Sequence, residues 1–197
     1  MAEESTITIV SGIPRSGTSL MMSVLAAAGL PLLIDDERPA DRSNPRGYFE
    51  YAPVKRSGTD LSWLDQAQGC VVKVIHSLLP ILPGDRAYRV VLMERPIAEV
   101  VASQDRMLAA PGPAAASSET ARLEQVFADQ LRETRDLLER SPHFDWIAID
   151  YARLVHAPDA ELERLAAFLP LPAGRAELLA CIDPELHREH SPRLARS

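Results

Sequence analysis

The sequence has few cysteines and no long apolar run. Its 197 residues include two cysteines, Cys70 and Cys181, which are too few for a disulfide framework. We therefore interpret both as small core residues of a protein from a reducing compartment. No apolar run approaches the roughly 20 residues that a membrane-spanning helix needs. The acidic residues 1–4 also lack the basic start of a signal peptide. These absences predict a cytoplasmic protein without a membrane span.

Basic residues are outnumbered by acidic ones, 21 to 28, which gives a net charge of −7. This balance argues against nucleic acid as a partner, because nucleic-acid binding needs a general basic surface. An anionic nucleotide can still bind where a few cations converge on one site. The hydrophobic share of 46% is enough for one sizeable core. We expect a single domain over residues 1–197, with a loose tail from about residue 183. Nothing in the sequence indicates an oligomeric state.

Segments with the patterns of strands and helices alternate along the chain. We predict strands at 6–10, 32–34, 71–75, 89–93 and 145–149, and helices at 19–28, 97–108, 119–140, 159–169 and 173–182. Polar or low-complexity segments at 35–48 and 109–118 are predicted loops. Strands separated by helices favour a parallel sheet that is covered on both faces. The predicted fold class is α/β, a three-layer parallel sheet with helices on both faces, of the P-loop nucleotide-binding type.

A glycine-punctuated loop joins the first strand to the first helix. Gly12 and Gly17 have the spacing of the loop G-x-x-x-x-G-K-[ST], and Ser19 stands at its last position. Such a loop cradles a phosphate because backbone N–H groups and the helix dipole both favour an anion. The lysine that reaches the β- and γ-phosphates of a nucleoside triphosphate is replaced by Thr18, and the loop's cation is Arg15. This replacement indicates a phosphate-linked donor other than a hydrolysed triphosphate.

Chemically active residues follow three further predicted strands. Lys73 lies within the strand that precedes His76, Arg95 follows the strand 89–93, and Asp150 and Tyr151 follow the strand 145–149. Ligands of parallel sheets bind at the carboxyl ends of the strands, so we expect these residues at one crevice. Ser103 lies eight residues after Arg95 on the following helix. A guanidinium and a hydroxyl at this spacing can bind a second phosphate together.

The chain resembles the sulfotransferases that use 3′-phosphoadenosine-5′-phosphosulfate (PAPS). Residues 14–19 look like their 5′-phosphosulfate loop, and residues 93–103 look like their 3′-phosphate-binding segment. Residues 149–154, followed by 165–169, are similar to the strand and helix that close many bacterial members. Residues 44–50 also look like a segment of small bacterial members of this family. The resemblance covers about residues 7–170.

The resemblance implies transfer of a sulfuryl group from PAPS to a hydroxyl or amine of a small-molecule or carbohydrate acceptor, without a metal. It implies that the donor is held by a set of loop and helix residues: Arg15, Ser16, Gly17, Thr18, Ser19, Arg95 and Ser103. Arg15 would also neutralise charge on the leaving phosphate. The general base would be His76 or Glu50.

Some family features are absent. Leu20 stands where the cytosolic enzymes have an aromatic residue that stacks on adenine, and their C-terminal Arg-Lys-Gly segment has no match. Two alternatives therefore stay open. One is a P-loop kinase or nucleotide hydrolase that uses ATP and Mg²⁺, with Asp150 as the nearest metal-ligand candidate. The other is a nucleotide-binding protein without turnover.

Overall fold

A parallel β-sheet forms the centre of the molecule. The computed structural model describes residues 6–37, 47–108 and 117–183. Within these residues the sheet has four strands in the order β2-β1-β3-β4, and every neighbouring pair is parallel. The strands are β1 (Ile7–Ser11), β2 (Val71–Lys73), β3 (Tyr88–Glu94) and β4 (Phe144–Asp150). The predicted parallel α/β fold is confirmed. Most of the two predicted loops and the tail lie outside the described residues.

The helices occupy the connections between and after the strands. They are α1 (Thr18–Ala27), α2 (Trp63–Gln66), α3 (Ile97–Leu108), α4 (Ser117–Arg140), α5 (Tyr151–His156), α6 (Pro158–Phe168) and α7 (Arg175–Ala180). Two 3₁₀ helices span Ala52–Arg56 and His76–Ile81. The bounds of α3 agree with the predicted helix, since its apolar spacing and Pro96 mark it clearly.

Three elements differ from the sequence-based expectation. Helix α5 was not predicted, although the Asp150 carboxylate caps it by accepting a hydrogen bond from the Arg153 N–H at 2.8 Å. Strand β2 ends at Lys73 rather than at residue 75. The predicted strand at 32–34 is reduced to an isolated bridge between Leu32 and Val71. A single bridge carries too few ladder hydrogen bonds to count as a strand.

Alternating strand residues divide the core between the two faces of the sheet. Val10 and Val91 pack in one cluster with residues of α1, α5, α6 and α7. Their neighbours Ile9 and Val90 pack in the other cluster with residues of α2 and α4, among them the fully buried Trp63. Because successive side chains of a strand point to opposite faces, each strand contributes to both layers. The predicted helices on both faces are therefore confirmed.

The strand order creates a switch point between β1 and β3. These strands are neighbours, but the chain leaves β1 toward β2 on one side and leaves β3 toward β4 on the other side. In open parallel sheets the crevice beyond such a pair of strands is the usual ligand site. The loop after β1 and Arg95, which follows β3, both lie at this position.

Tyr88, at the start of β3, gives the fold a measurable pH dependence. Burial raises the pKa of Tyr88 from 10.0 to about 12, and its hydroxyl donates to the Pro83 carbonyl at 3.2 Å. The folded state thus favours the neutral phenol, which stabilises the protein below about pH 10 and ceases to do so between about pH 10 and 12. We expect the free energy of unfolding of Tyr88→Phe, measured in urea, to fall less steeply than that of the wild type between about pH 10 and 12. Equal slopes for both proteins would contradict this assignment.

Candidate functional site

The loop between β1 and α1 is built on glycines that no other residue can replace without displacement. A Cβ on Gly12 would lie 2.3 Å from Ser16 Oγ and 2.8 Å from the Met93 carbonyl oxygen of β3. Gly17 caps the N-terminus of α1 with a φ of 104°, in the left-handed region that favours glycine. Arg15 also lies in this region, with a φ of 70°. A non-glycine residue there is held under strain by its neighbours, a feature that often marks a functional site.

The start of α1 provides the donors for an anion. Its first turn contains Thr18 and Ser19 and holds no acidic side chain, so the helix dipole is not offset there. The hydroxyl oxygen of Ser16 is buried and has no hydrogen-bond partner among the described residues. A buried hydroxyl without a partner is costly. A bound anion would satisfy it together with the N–H groups of the first turn.

Arg95 and Ser103 both contact the same residue of this loop. The Arg15 side chain donates from Nε to Ser103 Oγ at 3.0 Å. Arg95 donates from Nη1 to the Arg15 carbonyl oxygen at 3.4 Å. Arg95 and Ser103 are themselves 9% and 8% exposed. The structure thus brings the loop and the Arg–Ser pair to one place, at the switch point between β1 and β3.

The guanidinium of Arg95 is enclosed by Glu99 and Tyr151, of which the sequence had placed only Tyr151 at this crevice. Its Nε donates to Glu99 Oε2 at 3.0 Å in a buried ion pair. The Cζ atom of Arg95 lies 4.5 Å from the centroid of the Tyr151 ring. The Nη2 atom is buried without a hydrogen-bond partner in the described part of the chain. Glu99 stands four residues after Arg95, in the first turn of a helix that Arg95 precedes, and this closeness in sequence was the available signal for the pair.

Tyr151 connects the loop to Arg95 through its ring. A Cβ on Gly17 would lie 2.3 Å from the Tyr151 Cδ2 atom, so the ring packs directly on the loop backbone. The guanidinium of Arg95 also contacts this ring. Burial raises the pKa of the Tyr151 phenol, and the nearby Arg95 charge opposes part of that rise. The phenol is therefore neutral near neutral pH.

Lys73 at the end of β2 joins the loop to a second segment. Its Nζ donates to Ser19 Oγ at 2.9 Å and to the Tyr48 carbonyl oxygen. Residues 47–50 therefore lie beside the start of α1. Glu50, in this segment, pairs with Lys55 at 3.0 Å, and its side chain is 20% exposed. A lysine is unusual within an apolar strand, but the sequence did not indicate which groups Lys73 contacts.

His76 lies beneath the loop and begins the 3₁₀ helix His76–Ile81 instead of ending a strand. Its Nδ1 is 3.2 Å from the Gly12 carbonyl oxygen, and its Nε2 is 3.2 Å from Gln130 Oε1 on α4. Since a carbonyl oxygen only accepts hydrogen bonds, the proton of the neutral ring belongs on Nδ1. Nε2 of this tautomer only accepts hydrogen bonds, so a bond with Gln130 needs the amide nitrogen rather than Oε1 turned toward it.

Comparison with known proteins identifies the class of fold. Among solved structures, the chain is similar to the sulfotransferase domain of the olefin synthase from Synechococcus PCC 7002. The TM-score is 0.58 at 16% sequence identity, and the match covers 95% of this chain and 89% of that chain. A sulfotransferase domain from the curacin biosynthetic pathway matches with a TM-score of 0.48 at 17% identity, over 90% of this chain and 78% of that chain. The first likeness shows that the chain has the α/β fold of a sulfotransferase domain.

The sequence itself matches no protein-family model and no curated protein. In the described ranges no helix combines the length and apolar character that membrane crossing requires. Over the same residues there is no group of three or more His, Cys, Asp or Glu side chains that could hold a metal ion. Asp150, the metal-ligand candidate of the kinase alternative, serves as the cap of α5.

Proposed function

We propose that this protein is a sulfotransferase that moves a sulfuryl group from PAPS to a hydroxyl or amine of a small-molecule or carbohydrate acceptor. One observation carries the proposal. Arg95 and Ser103 both contact Arg15 of the loop, so the two segments that we propose to bind anions lie together at the carboxyl ends of adjacent strands. A nucleotide with phosphates at both its 5′ and 3′ positions is a ligand that needs two such elements close together. The fold of a sulfotransferase domain supports the same reading.

The residues fit the donor in charge and in hydrogen bonding. The 5′-phosphate would bind the N–H groups of residues 17–19 and the Ser16, Thr18 and Ser19 hydroxyls, since the Ser16 N–H already donates to the Ile13 carbonyl. The 3′-phosphate would bind Arg95 and the Ser103 hydroxyl. Two buried polar atoms, Ser16 Oγ and Arg95 Nη2, have no partner among the described residues, and each would gain one from such a ligand.

Arg15 would assist the transfer itself. During transfer the bond from sulfur to the 5′-phosphate oxygen breaks, a bond from sulfur to the acceptor forms, and the acceptor proton passes to a base. Negative charge builds on the leaving phosphate oxygen, and the Arg15 guanidinium would neutralise it. Its hydrogen bond to Ser103 Oγ orients the guanidinium before the donor binds. Lys73, which contacts Ser19, would add a second positive charge near the same phosphate.

Two residues are candidates for the general base. His76 would use Nε2, and the acceptor hydroxyl would have to take the place of the Gln130 amide at that nitrogen. Glu50 would use its carboxylate, which is partly exposed and paired with Lys55. Lys73 links the backbone of the Glu50 segment to the loop through the Tyr48 carbonyl. His76 contacts the loop itself through the Gly12 carbonyl.

Nucleotide binding tests the proposal without knowledge of the acceptor. We expect adenosine 3′,5′-bisphosphate to bind without metal, about a hundredfold more tightly than adenosine 5′-phosphate, since the 3′-phosphate adds charge-assisted hydrogen bonds. Isothermal titration calorimetry with and without Mg²⁺ measures both affinities. Ser103→Ala should reduce this preference, whereas Ser23→Ala, which removes a helix hydroxyl that donates to the Ser19 carbonyl, should leave it unchanged.

Each alternative predicts a different result. Binding of ATP only with Mg²⁺ would favour the kinase or hydrolase. Tight binding of the bisphosphate without transfer from PAPS to any hydroxyl or amine acceptor would favour a nucleotide-binding protein without turnover. Absence of any preference for the 3′-phosphate would contradict the proposed donor.

A further inference from the structure

Glu99 is a buried carboxylate that the proposed donor contacts leave unexplained. It lies in the first turn of α3, is 3% exposed, and accepts a hydrogen bond from Arg95 Nε at 3.0 Å. A carboxylate so close to an anion site repels the anion, so its presence there needs a reason. The N-terminus of α3 offsets part of the cost of burying its charge.

We infer that Glu99 is a positioning residue for the 3′-phosphate, which it serves by holding Arg95 in one orientation. The inference rests on the proposed function. Glu99 would not touch the donor. It acts through the guanidinium of Arg95, whose Nη2 would then donate a hydrogen bond to the 3′-phosphate.

The contacts of Arg95 support this role because they fix all sides of the guanidinium except one. Nε is held by Glu99, Nη1 donates to the Arg15 carbonyl, and one face lies against the Tyr151 ring. The guanidinium is planar, so two fixed nitrogens determine the direction of the third. That third atom, Nη2, is buried and without a partner in the described residues. The side chain of Arg95 is only 6% exposed, so solvent does not supply the missing acceptor.

Charge and geometry make opposite predictions for Glu99, and substitutions separate them. Glu99→Gln keeps an oxygen that can accept from Arg95 Nε and removes the negative charge. Glu99→Ala removes both the acceptor and the charge. If Glu99 acted only through its charge, both variants would bind the 3′-phosphate more tightly. If it positions Arg95, Gln keeps the 3′-phosphate affinity and Ala loses it.

The test measures affinities for adenosine 3′,5′-bisphosphate and adenosine 5′-phosphate by calorimetry in the wild type and in both variants. The ratio of the two affinities isolates the contribution of the 3′-phosphate. We expect Glu99→Ala to lower this ratio about tenfold, the value of one charge-assisted hydrogen bond. We expect Glu99→Gln to keep the ratio within about threefold of wild type. The affinity for adenosine 5′-phosphate should stay unchanged in both variants.

A second background shows whether Glu99 acts through Arg95. In an Arg95→Ala protein, Glu99→Ala should not change the ratio further. A further drop in that background, an unchanged ratio in Glu99→Ala alone, or an equal loss for both nucleotides would overturn the inference. Thermal unfolding of the free variants checks that each is folded, and the near-isosteric Glu99→Gln provides a folded comparison. A wild type without preference for the bisphosphate would instead overturn the proposed function itself, and it would do so before any variant is made.

Discussion

Arg15→Ala should lower the rate of sulfuryl transfer by about a hundredfold to a thousandfold, the usual effect of removing one group that stabilises charge in a transition state. The guanidinium is the loop's only cation, and Ser103 Oγ holds it in place from α3. The fold should survive, because the residue is only partly buried and the lost hydrogen bond contributes about 1 kcal/mol. Release of adenosine 3′,5′-bisphosphate from PAPS, measured with a mixture of hydroxyl and amine acceptors, gives the rate.

Two further substitutions at the same position separate chemistry from backbone strain. Arg15→Lys keeps a positive charge but loses the planar donor set, so it should retain part of the rate. Arg15→Gly removes the side chain like Ala but accepts the φ of 70° without strain. It should therefore be more stable to urea than Arg15→Ala by about 1 kcal/mol, with an equally low rate. Full turnover by Arg15→Ala would show that the assigned role is wrong.

Gly17→Ala should destabilise the folded protein by about 3 kcal/mol or more, because two independent costs add at this position. The backbone φ of 104° disfavours any residue with a Cβ, and that Cβ would lie 2.3 Å from the Tyr151 ring. The ring cannot move freely, since Arg95 lies against it. Urea unfolding of the free protein measures the change in the free energy of unfolding.

Other glycines of the chain serve as matched controls. A Cβ on Gly58 would meet no atom within 4 Å, and its φ lies outside the left-handed region. Gly58→Ala should therefore leave the free energy of unfolding unchanged. Gly47→Ala also meets nothing within 4 Å but has a φ of 90°, so it should show the strain alone, about 1 kcal/mol. The difference between Gly17→Ala and Gly47→Ala then measures the clash. If the free energy of unfolding falls equally in these two variants, the clash with Tyr151 does not contribute to the loss at Gly17.

A double substitution tests the clash directly. Adding Tyr151→Ala to Gly17→Ala removes the ring that the new Cβ meets. The double variant should be more stable than the sum of the single effects predicts, by about 1 kcal/mol or more. Additive effects would show that the cost at Gly17 is entirely a backbone cost.

The sequence alone determined the elements whose signals are local. The loop with Gly12 and Gly17 stands between a strand and a helix as predicted, and α3 has the predicted bounds. The parallel α/β fold followed from the alternation of strands and helices. Glycine spacing, apolar periodicity and a proline at a helix start are readable in a few residues, because they reflect backbone geometry and the burial of one helix face. The catalytic and binding roles of the site residues stay predictions until they are measured.

Tertiary structure decided which of these residues meet. Arg15 and Ser103 are 88 positions apart in the chain, and Lys73 and Ser19 are 54 apart. Their contacts depend on β3 and β2 lying on either side of β1, and that order is set by how the helices pack over both faces of the sheet. The burial of Arg95 against Tyr151 depends on the same order, since β4 pairs with β3. Periodicity carries no information about strand order, so local patterns could name the charged residues of the site but not their partners.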